Sequence, residues 1–126
     1  MYDMEEELKL NFLSEAEDTI LEAERLIMAL ESNKDKASHL AELFRVMHNF
    51  KGSAAAVGLS GLVQIAHAEE SLLSKLKGGT VALTPAVVTL LLRCNDHLSA
   101  SITQLASNIN SDVGNPALVT EVEKVR

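Results

Sequence analysis

The feature that most limits the fold is the spacing of apolar residues, which recur every three or four positions over four long stretches. Apolar side chains at this spacing share one face of a helix. The first stripe consists of Leu13, Ala16, Ile20, Ala23, Ile27 and Leu30. The next three consist of Leu40, Leu43, Phe44, Met47, Phe50 and Ala54, then Leu62, Ala66, Leu73 and Leu76, then Val87, Leu91, Cys94, Leu98, Ile102 and Leu105. The spacing predicts four long amphipathic helices.

Residues that favour helix starts precede three of the predicted helices. Asp35 is placed to cap the second helix. Thr84 followed by Pro85 combines a capping residue with proline at the first helical position, which opens the fourth helix. Asn115 and Pro116 repeat this signal. They predict a short fifth helix whose apolar side contains Leu118, Val122 and Val125.

Glycines and turn formers separate the predicted helices. Residues 32–35 form a turn between the first two helices, and Gly58 marks a very short connection between the second and the third. Gly78 and Gly79 end the third helix, where a left-handed cap is favourable for glycine. All four long helices are therefore joined by short segments.

Four amphipathic helices with short connections bury their apolar stripes best by packing against one another. Aromatic residues make up only 3% of the 126 residues, so the core is expected to consist of aliphatic side chains. The predicted fold is all-α, an up-down-up-down antiparallel four-helix bundle with a short additional C-terminal helix. A chain of this length is expected to form a single domain over residues 1–126.

Charge and cysteine content exclude several classes of function. The net charge of −7 disfavours binding to nucleic acid or to anionic lipid. Cys94 is the single cysteine and occupies an apolar helical position, so we expect a core thiol and a reducing, cytoplasmic setting. The acidic N-terminus and the lack of a long apolar run predict neither a signal peptide nor a transmembrane anchor.

His48 is the histidine with the most informative surroundings. Helical geometry places it at the edge of the solvent face of the second helix, where we expect it to be exposed. Lys51, three residues on, is its neighbour on the helix surface, and Gly52 leaves no side chain to cover the imidazole. Glycine is unfavourable inside a helix, and small residues starting with Ser53 follow it. Gly52 and Ser53 therefore predict close approach of a partner.

The third helix supplies a counterpart to His48. If Gly58 marks the turn, His67 lies at about the level of His48, and Glu70 lies one turn further along. A partly buried Glu70 carboxylate can accept the Nδ1 proton of His48, which leaves the Nε2 lone pair as a nucleophile. Lys51 would place a positive charge beside this nucleophile.

These residues also carry a family resemblance. Residues 43–53 read LFRVMHNFKGS, followed by Gly58 and Leu59, and residues 67–73 read HAEESLL. This pattern resembles the histidine phosphotransfer family. It is especially similar to the N-terminal phosphotransfer domain of CheA-type chemotaxis histidine kinases.

The resemblance implies a role for each matching residue. By this resemblance, His48 is expected to be phosphorylated on Nε2 and Glu70 to hydrogen-bond its Nδ1, with Lys51 and His67 flanking the phosphoryl group. Members of the family receive the phosphoryl group from ATP through a separate kinase ATP-binding domain and deliver it to an aspartate of a response-regulator receiver domain. The resemblance therefore implies no intrinsic cofactor, with ATP and Mg²⁺ used by the partners.

The resemblance leaves the larger context open. The domain is either the N-terminal part of a longer kinase or a stand-alone phosphorelay intermediate outside chemotaxis, and nothing in the sequence demands more than a monomer. Such a module has no ATP-binding or catalytic domain of its own, so whether to class it as an enzyme is also open.

Structural interpretations compete with the functional ones. The alternative from a different class of function is a non-catalytic helical adaptor, in which His48 has no chemical role. Lys51 and Glu70 also fit ordinary solvated helix residues, and His67 also fits a structural polar cluster.

Helical bundles also bind metals, and two histidine-carboxylate pairs superficially suggest such a site. These pairs are His39 with Glu42 and His67 with Glu70. Helical rise predicts that the pairs are offset by roughly 15 Å along the hairpin, too far to share one ion. We interpret His39 and His97 as surface residues and predict no metal site.

Overall fold

A computed structural model describes residues 3–32 and 34–126, and all regular secondary structure in this part of the chain is helical. The helices are α1 (Met4–Ala29), α2 (Lys36–Ala56), α3 (Ser60–Lys77), α4 (Pro85–Ser107) and α5 (Pro116–Glu123). Within these residues, no helix is both long enough and apolar enough to cross a membrane. The predicted all-α class and the predicted short fifth helix are confirmed.

The four long helices surround a shared apolar core. Helix α1 contacts α2 and α4, and α3 contacts α2 and α4, so the contacts form a closed ring. Helix α5 packs on α3. The predicted stripes are buried except at Phe44 and Val125, which are half-buried. Burial of the stripes on one common core is the main source of stability, because isolated helices of this length are marginal in water.

Two of the three predicted helix caps form as expected. The Thr84 side chain accepts a hydrogen bond from the backbone N–H of Val87, and Asn115 caps Leu118 in the same way. Asp35 precedes α2 as predicted, but its φ is +55° and its side chain makes no capping hydrogen bond. The prediction of a side-chain cap was wrong because a capping residue normally has extended backbone, which aims its side chain at the first free N–H groups. The predicted turn at 32–35 includes Asn33, which lies outside the described residues.

Glycine at position 58 makes the tight connection between α2 and α3 possible. Its φ is +77°, a left-handed conformation that side chains rarely tolerate. The N–H of Gly58 donates to the carbonyl of Ala55, and that of Leu59 donates to the carbonyl of Ala54, so the end of α2 is capped by backbone. The chain turns within residues 57–59 and starts α3 directly against α2.

Side-chain contacts attach the C-terminal segment to the rest of the molecule. Arg93 of α4 donates two hydrogen bonds, of 2.7 and 2.8 Å, to the carboxylate of Glu121 in α5. Val113, in the preceding loop, is buried against Gly61, where a Cβ atom would lie 2.8 Å from the Val113 side chain. The glycine at the start of α3 therefore allows the loop to approach closely.

Two histidines outside the predicted site are less exposed than expected. His97 is half-buried, and its Nε2 lies 2.7 Å from the carbonyl oxygen of Val113. His39 is also half-buried, with its Nδ1 buried and without a hydrogen-bond partner. The interpretation of both as surface residues was wrong, because each ring is partly covered. For His97 the covering segment is the loop before α5.

Candidate functional site

His48 combines exposure to solvent with a fixed contact on one ring nitrogen. Its side chain is 60% exposed, and its Nδ1 lies 3.2 Å from Oε1 of Glu70 in α3. Because an ionised carboxylate only accepts hydrogen bonds, this contact assigns the proton to Nδ1. The Nε2 lone pair of the neutral ring is then free to act as a nucleophile.

Lys51 completes the polar contacts of Glu70. Its Nζ lies 2.8 Å from Oε2 of Glu70, so the two carboxylate oxygens face a histidine and an ammonium group. Burial raises the pKa of Glu70, but its contacts with Lys51 and His48 outweigh this effect and hold the pKa below its usual value. Glu70 therefore remains ionised at neutral pH, although only 14% of its side chain is exposed.

The α2–α3 hairpin explains why these three side chains meet. His48 and Lys51 are one turn apart on α2, so they project from the same side of that helix. Glu70 lies on α3, which the tight turn at Gly58 places directly against α2. The structure thus brings together three of the predicted site residues.

His67 lies close in sequence to this cluster but makes different contacts. It is exposed and lines a groove between α3 and α5, together with Lys75 and Glu123. Within the described part of the chain it forms no hydrogen bond with His48 or with the residues around it. A role for His67 beside a phosphoryl group stays a prediction.

Gly52 and Ser53 are exposed and carry little or no side chain. A Cβ atom built on Gly52 would have no other atom within 4 Å, so packing within the chain does not require glycine there. Ser53 is also exposed and lines a shallow groove between α1 and α2. The absence of bulk at both positions is compatible with approach of a second molecule, and their contact with a partner stays a prediction.

Phe44 is a neighbour of His48 that the sequence analysis assigned only to the apolar stripe. Its ring lies nearly parallel to the imidazole, with centroids 6.2 Å apart and an interplanar angle of 10°. The Nζ of Lys77 lies 4.3 Å from the centroid of the same phenyl ring. The spacing of four residues between Phe44 and His48 was the available signal, since such pairs are neighbours on a helix.

Glu69 is a second acidic residue that sequence reasoning missed. It is fully buried, and neither carboxylate oxygen has a hydrogen-bond partner. Desolvation raises its pKa to about 8. Burial also raises the pKa of the Cys94 thiol, and the proximity of Glu69 adds to that shift. The signal in the sequence was position, because Glu69 fills the gap between Ala66 and Leu73 in the apolar stripe of α3.

Metal-ligand geometry is not found in the described residues. No three side chains of histidine, cysteine, aspartate or glutamate among residues 3–32 and 34–126 are arranged to hold an ion. Within the hairpin, the carboxylate nearest to His48 is that of Glu70, which pairs with Lys51.

The chain is similar to known proteins over most of its length, and not only at the site. A family model described as the Hpt domain matches residues 7–108. The chain is 36% identical over 97 residues to a chemotaxis protein CheA of Treponema pallidum, and this match covers 77% of the chain. It is 28% identical over 115 residues to a sensor histidine kinase CheAY of Helicobacter pylori, a match that covers 91% of the chain.

A solved structure gives the same result in three dimensions. The phosphorylated P1 domain of CheA3, in complex with CheY6 from R. sphaeroides, superposes with a TM-score of 0.81 and 27% identity. The alignment covers 94% of each chain. The matched curated proteins are much longer, since the aligned region makes up 12% of the Treponema protein and 14% of the Helicobacter protein. The family model covers most of the chain, and the chain belongs to the Hpt domain family.

Proposed function

We propose that this domain carries a phosphoryl group in chemotaxis-type two-component signalling. His48 accepts the group from the ATP-binding domain of a histidine kinase and passes it to an aspartate of a response-regulator receiver domain. The observation that carries the proposal is the exposed imidazole of His48, whose Nδ1 lies against the half-buried, ionised carboxylate of Glu70.

The geometry supports nucleophilic attack by Nε2. When Nε2 forms a bond to the γ-phosphorus of ATP, the bond to the bridging oxygen breaks and ADP leaves with that electron pair. The ring keeps its Nδ1 proton and gains positive charge, which the carboxylate of Glu70 offsets. In the second transfer the N–P bond breaks as an aspartate oxygen bonds to phosphorus, and Nε2 recovers its lone pair.

Lys51 and His67 are proposed to flank the phosphoryl group. Lys51 is held by Glu70 within the site. Its positive charge offsets the negative charge of the phosphoryl oxygens. His67 is exposed on the turn of α3 that precedes Glu70, so it is accessible to a partner. We expect ATP and Mg²⁺ to be bound by the partner domains, with no intrinsic cofactor in this one.

The proposed partners approach over Gly52 and Ser53. Gly52 lies one turn from His48 and carries no side chain, and Ser53 is small and exposed, which supports access of a second domain to Nε2. A receiver partner is supported by the similar P1 domain of CheA3, which was solved with CheY6. A kinase partner is supported by the matches to CheA and CheAY proteins.

The finer architecture is also part of the proposal. Short connections and the closed ring of contacts support an up-down-up-down antiparallel four-helix bundle, with α5 as an addition on α3. We propose that residues 1–126 form a single Hpt domain at the N-terminal part of a longer cytoplasmic kinase. The isolated domain is expected to be monomeric.

Phosphorylation by a histidine kinase tests the function directly. The domain is incubated with a CheA-type kinase ATP-binding domain, labelled ATP and Mg²⁺, and we expect an acid-labile, alkali-stable adduct. His48→Gln should abolish labelling because it removes the nucleophile. His39→Gln, which changes another histidine of α2, should retain it. Labelling that persists in His48→Gln would overturn the proposal, as would failure of the unaltered domain to become labelled; the latter result would favour a helical adaptor.

A further inference from the structure

The contact with Glu70 alone restrains the His48 ring weakly. A separation of 3.2 Å is at the long end of the range for a nitrogen-oxygen hydrogen bond. The torsion that turns a histidine ring has a broad profile, so the side chain itself does little to fix the plane of the imidazole. A nucleophilic nitrogen needs defined orientation, since reaction requires alignment of the lone pair with the phosphorus atom.

Phe44 supplies a second restraint on the same ring. The 10° angle and the 6.2 Å separation of the centroids correspond to an offset parallel pair, one of the favoured arrangements of aromatic rings. Turning the imidazole about its side-chain torsion would break this alignment and lengthen the contact with Glu70. The two contacts therefore restrict the same rotation from two sides.

Phe44 is itself fixed by both helices of the hairpin. It is half-buried on α2 and packs against the apolar core. The ammonium group of Lys77, at the end of α3, lies 4.3 Å from its ring centroid, a distance at which a cation is attracted to the π-face. The phenyl ring is thus a defined surface for the imidazole to lie on.

We propose that Phe44 is a positioning residue for phosphorylation, holding the plane of the His48 imidazole while Glu70 holds its Nδ1. This inference rests on the proposed function and assigns an additional residue to it. Lys77 acts through Phe44, by keeping the phenyl ring in place from the opposite helix.

The test uses phosphoramidate as the phosphoryl donor, which separates chemistry from docking of a kinase. Nε2 bonds to phosphorus while the P–N bond of phosphoramidate breaks and ammonia leaves. Phe44→Leu keeps an apolar side chain but removes the aromatic face, so the rate of His48 phosphorylation should fall about three- to tenfold. Phe44→Tyr keeps the ring and should restore the rate.

Phe12→Leu is the matched control. Phe12 is also half-buried, and it packs on Phe50 with centroids 5.6 Å apart, outside the site. Its replacement should lower stability to a similar degree and leave the phosphorylation rate unchanged. Proton NMR of the imidazole gives a readout independent of rate, since loss of the phenyl ring current should shift the His48 ring resonances only in Phe44→Leu.

The outcomes separate the inference from the function on which it rests. Phosphorylation of Phe44→Leu at the rate of the unaltered domain would overturn the inference and leave the proposed function standing, whether or not the His48 resonances shift. Loss of rate to the same extent in Phe12→Leu would also overturn it, because the effect would then be one of general stability. Failure of the unaltered domain to accept phosphate at His48 would overturn both.

Discussion

Helix α3 presents two adjacent glutamates to opposite surroundings. Glu70 faces α2, where Lys51 and His48 contact its two oxygens, and its pKa is lowered. Glu69 faces the core without a hydrogen-bond partner, and its pKa is raised to about 8. The same side chain is therefore a charged component of the site at one position and a neutral component of the core at the next.

Charge partners, and not burial alone, decide whether a carboxyl group in this protein is ionised. Both side chains are largely removed from water, with 14% of Glu70 and none of Glu69 exposed. Desolvation raises the pKa of both, but only Glu70 has cationic and proton-donating neighbours that reverse the effect. The two residues therefore affect stability in opposite directions as pH changes.

The largest expected effect is on stability, from Glu69→Leu. Between about pH 4.5 and 8 the unfolded chain loses this proton while the folded protein retains it, so Glu69 lowers stability as pH rises. Leucine removes this effect, and we expect the free energy of unfolding at pH 7 to increase on the order of 3 kcal/mol. Urea denaturation at pH 5, 7 and 8 measures the change.

Glu69→Gln is the matched variant for that experiment. Glutamine keeps the polar shape but cannot ionise, so it should remove the pH dependence without the full apolar gain. A parallel pH dependence in the unaltered domain and in both variants would contradict the assignment of a neutral, buried Glu69.

The next effect is on phosphorylation, from Glu70→Ala. Loss of the carboxylate removes the partner of Nδ1 and the negative charge that offsets the developing charge on His48. We expect the rate of phosphorylation by a kinase domain to fall about 10- to 100-fold, because the histidine loses the group that orients its ring, with the helical circular dichroism unchanged. Ser71→Ala, the next and exposed residue on α3, should retain the rate. An unchanged rate in Glu70→Ala would show that the contact in the structure has no part in the chemistry.

A smaller effect is expected from Lys51→Met. Methionine keeps most of the side-chain length but removes the ion pair with Glu70 and the positive charge near His48. Phosphorylation should slow about three- to tenfold, since a single charge-assisted contact is lost. Lys75→Met, on the exposed groove of α3, is the control and should have little effect. Equal rates for both variants would remove Lys51 from the site.

Most of the fold followed from the periodicity of the sequence. The apolar stripes predicted the long helices because burial of one face dominates helix stability in a folded chain. Thr84 and Asn115 marked helix starts correctly, since their side chains cap free N–H groups. The same periodicity placed His48 on the solvent face, and the turn at Gly58 placed Glu70 within its reach.

Other features could not be predicted because they depend on contacts between distant segments. The αL backbone of Asp35 prevents the expected side-chain cap, and His97 is covered by a loop that no local pattern assigns to it. Periodicity also cannot show whether a buried polar group finds a hydrogen-bond partner. The carboxylate of Glu69 finds none. The contact of Phe44 with Lys77 joins two helices whose relative rotation is fixed only in the folded chain.

The short turn at Gly58 keeps the three polar side chains of the site within one helical hairpin. His48 and Glu70 are separated by 22 positions, and Lys51 lies between them. Closing so small a loop costs little chain entropy, and contacts between nearby segments tend to form early during folding. The contact between the reactive histidine and its acid therefore depends directly on α2 and α3 alone, while α1 and α4 hold these two helices in place through the shared core.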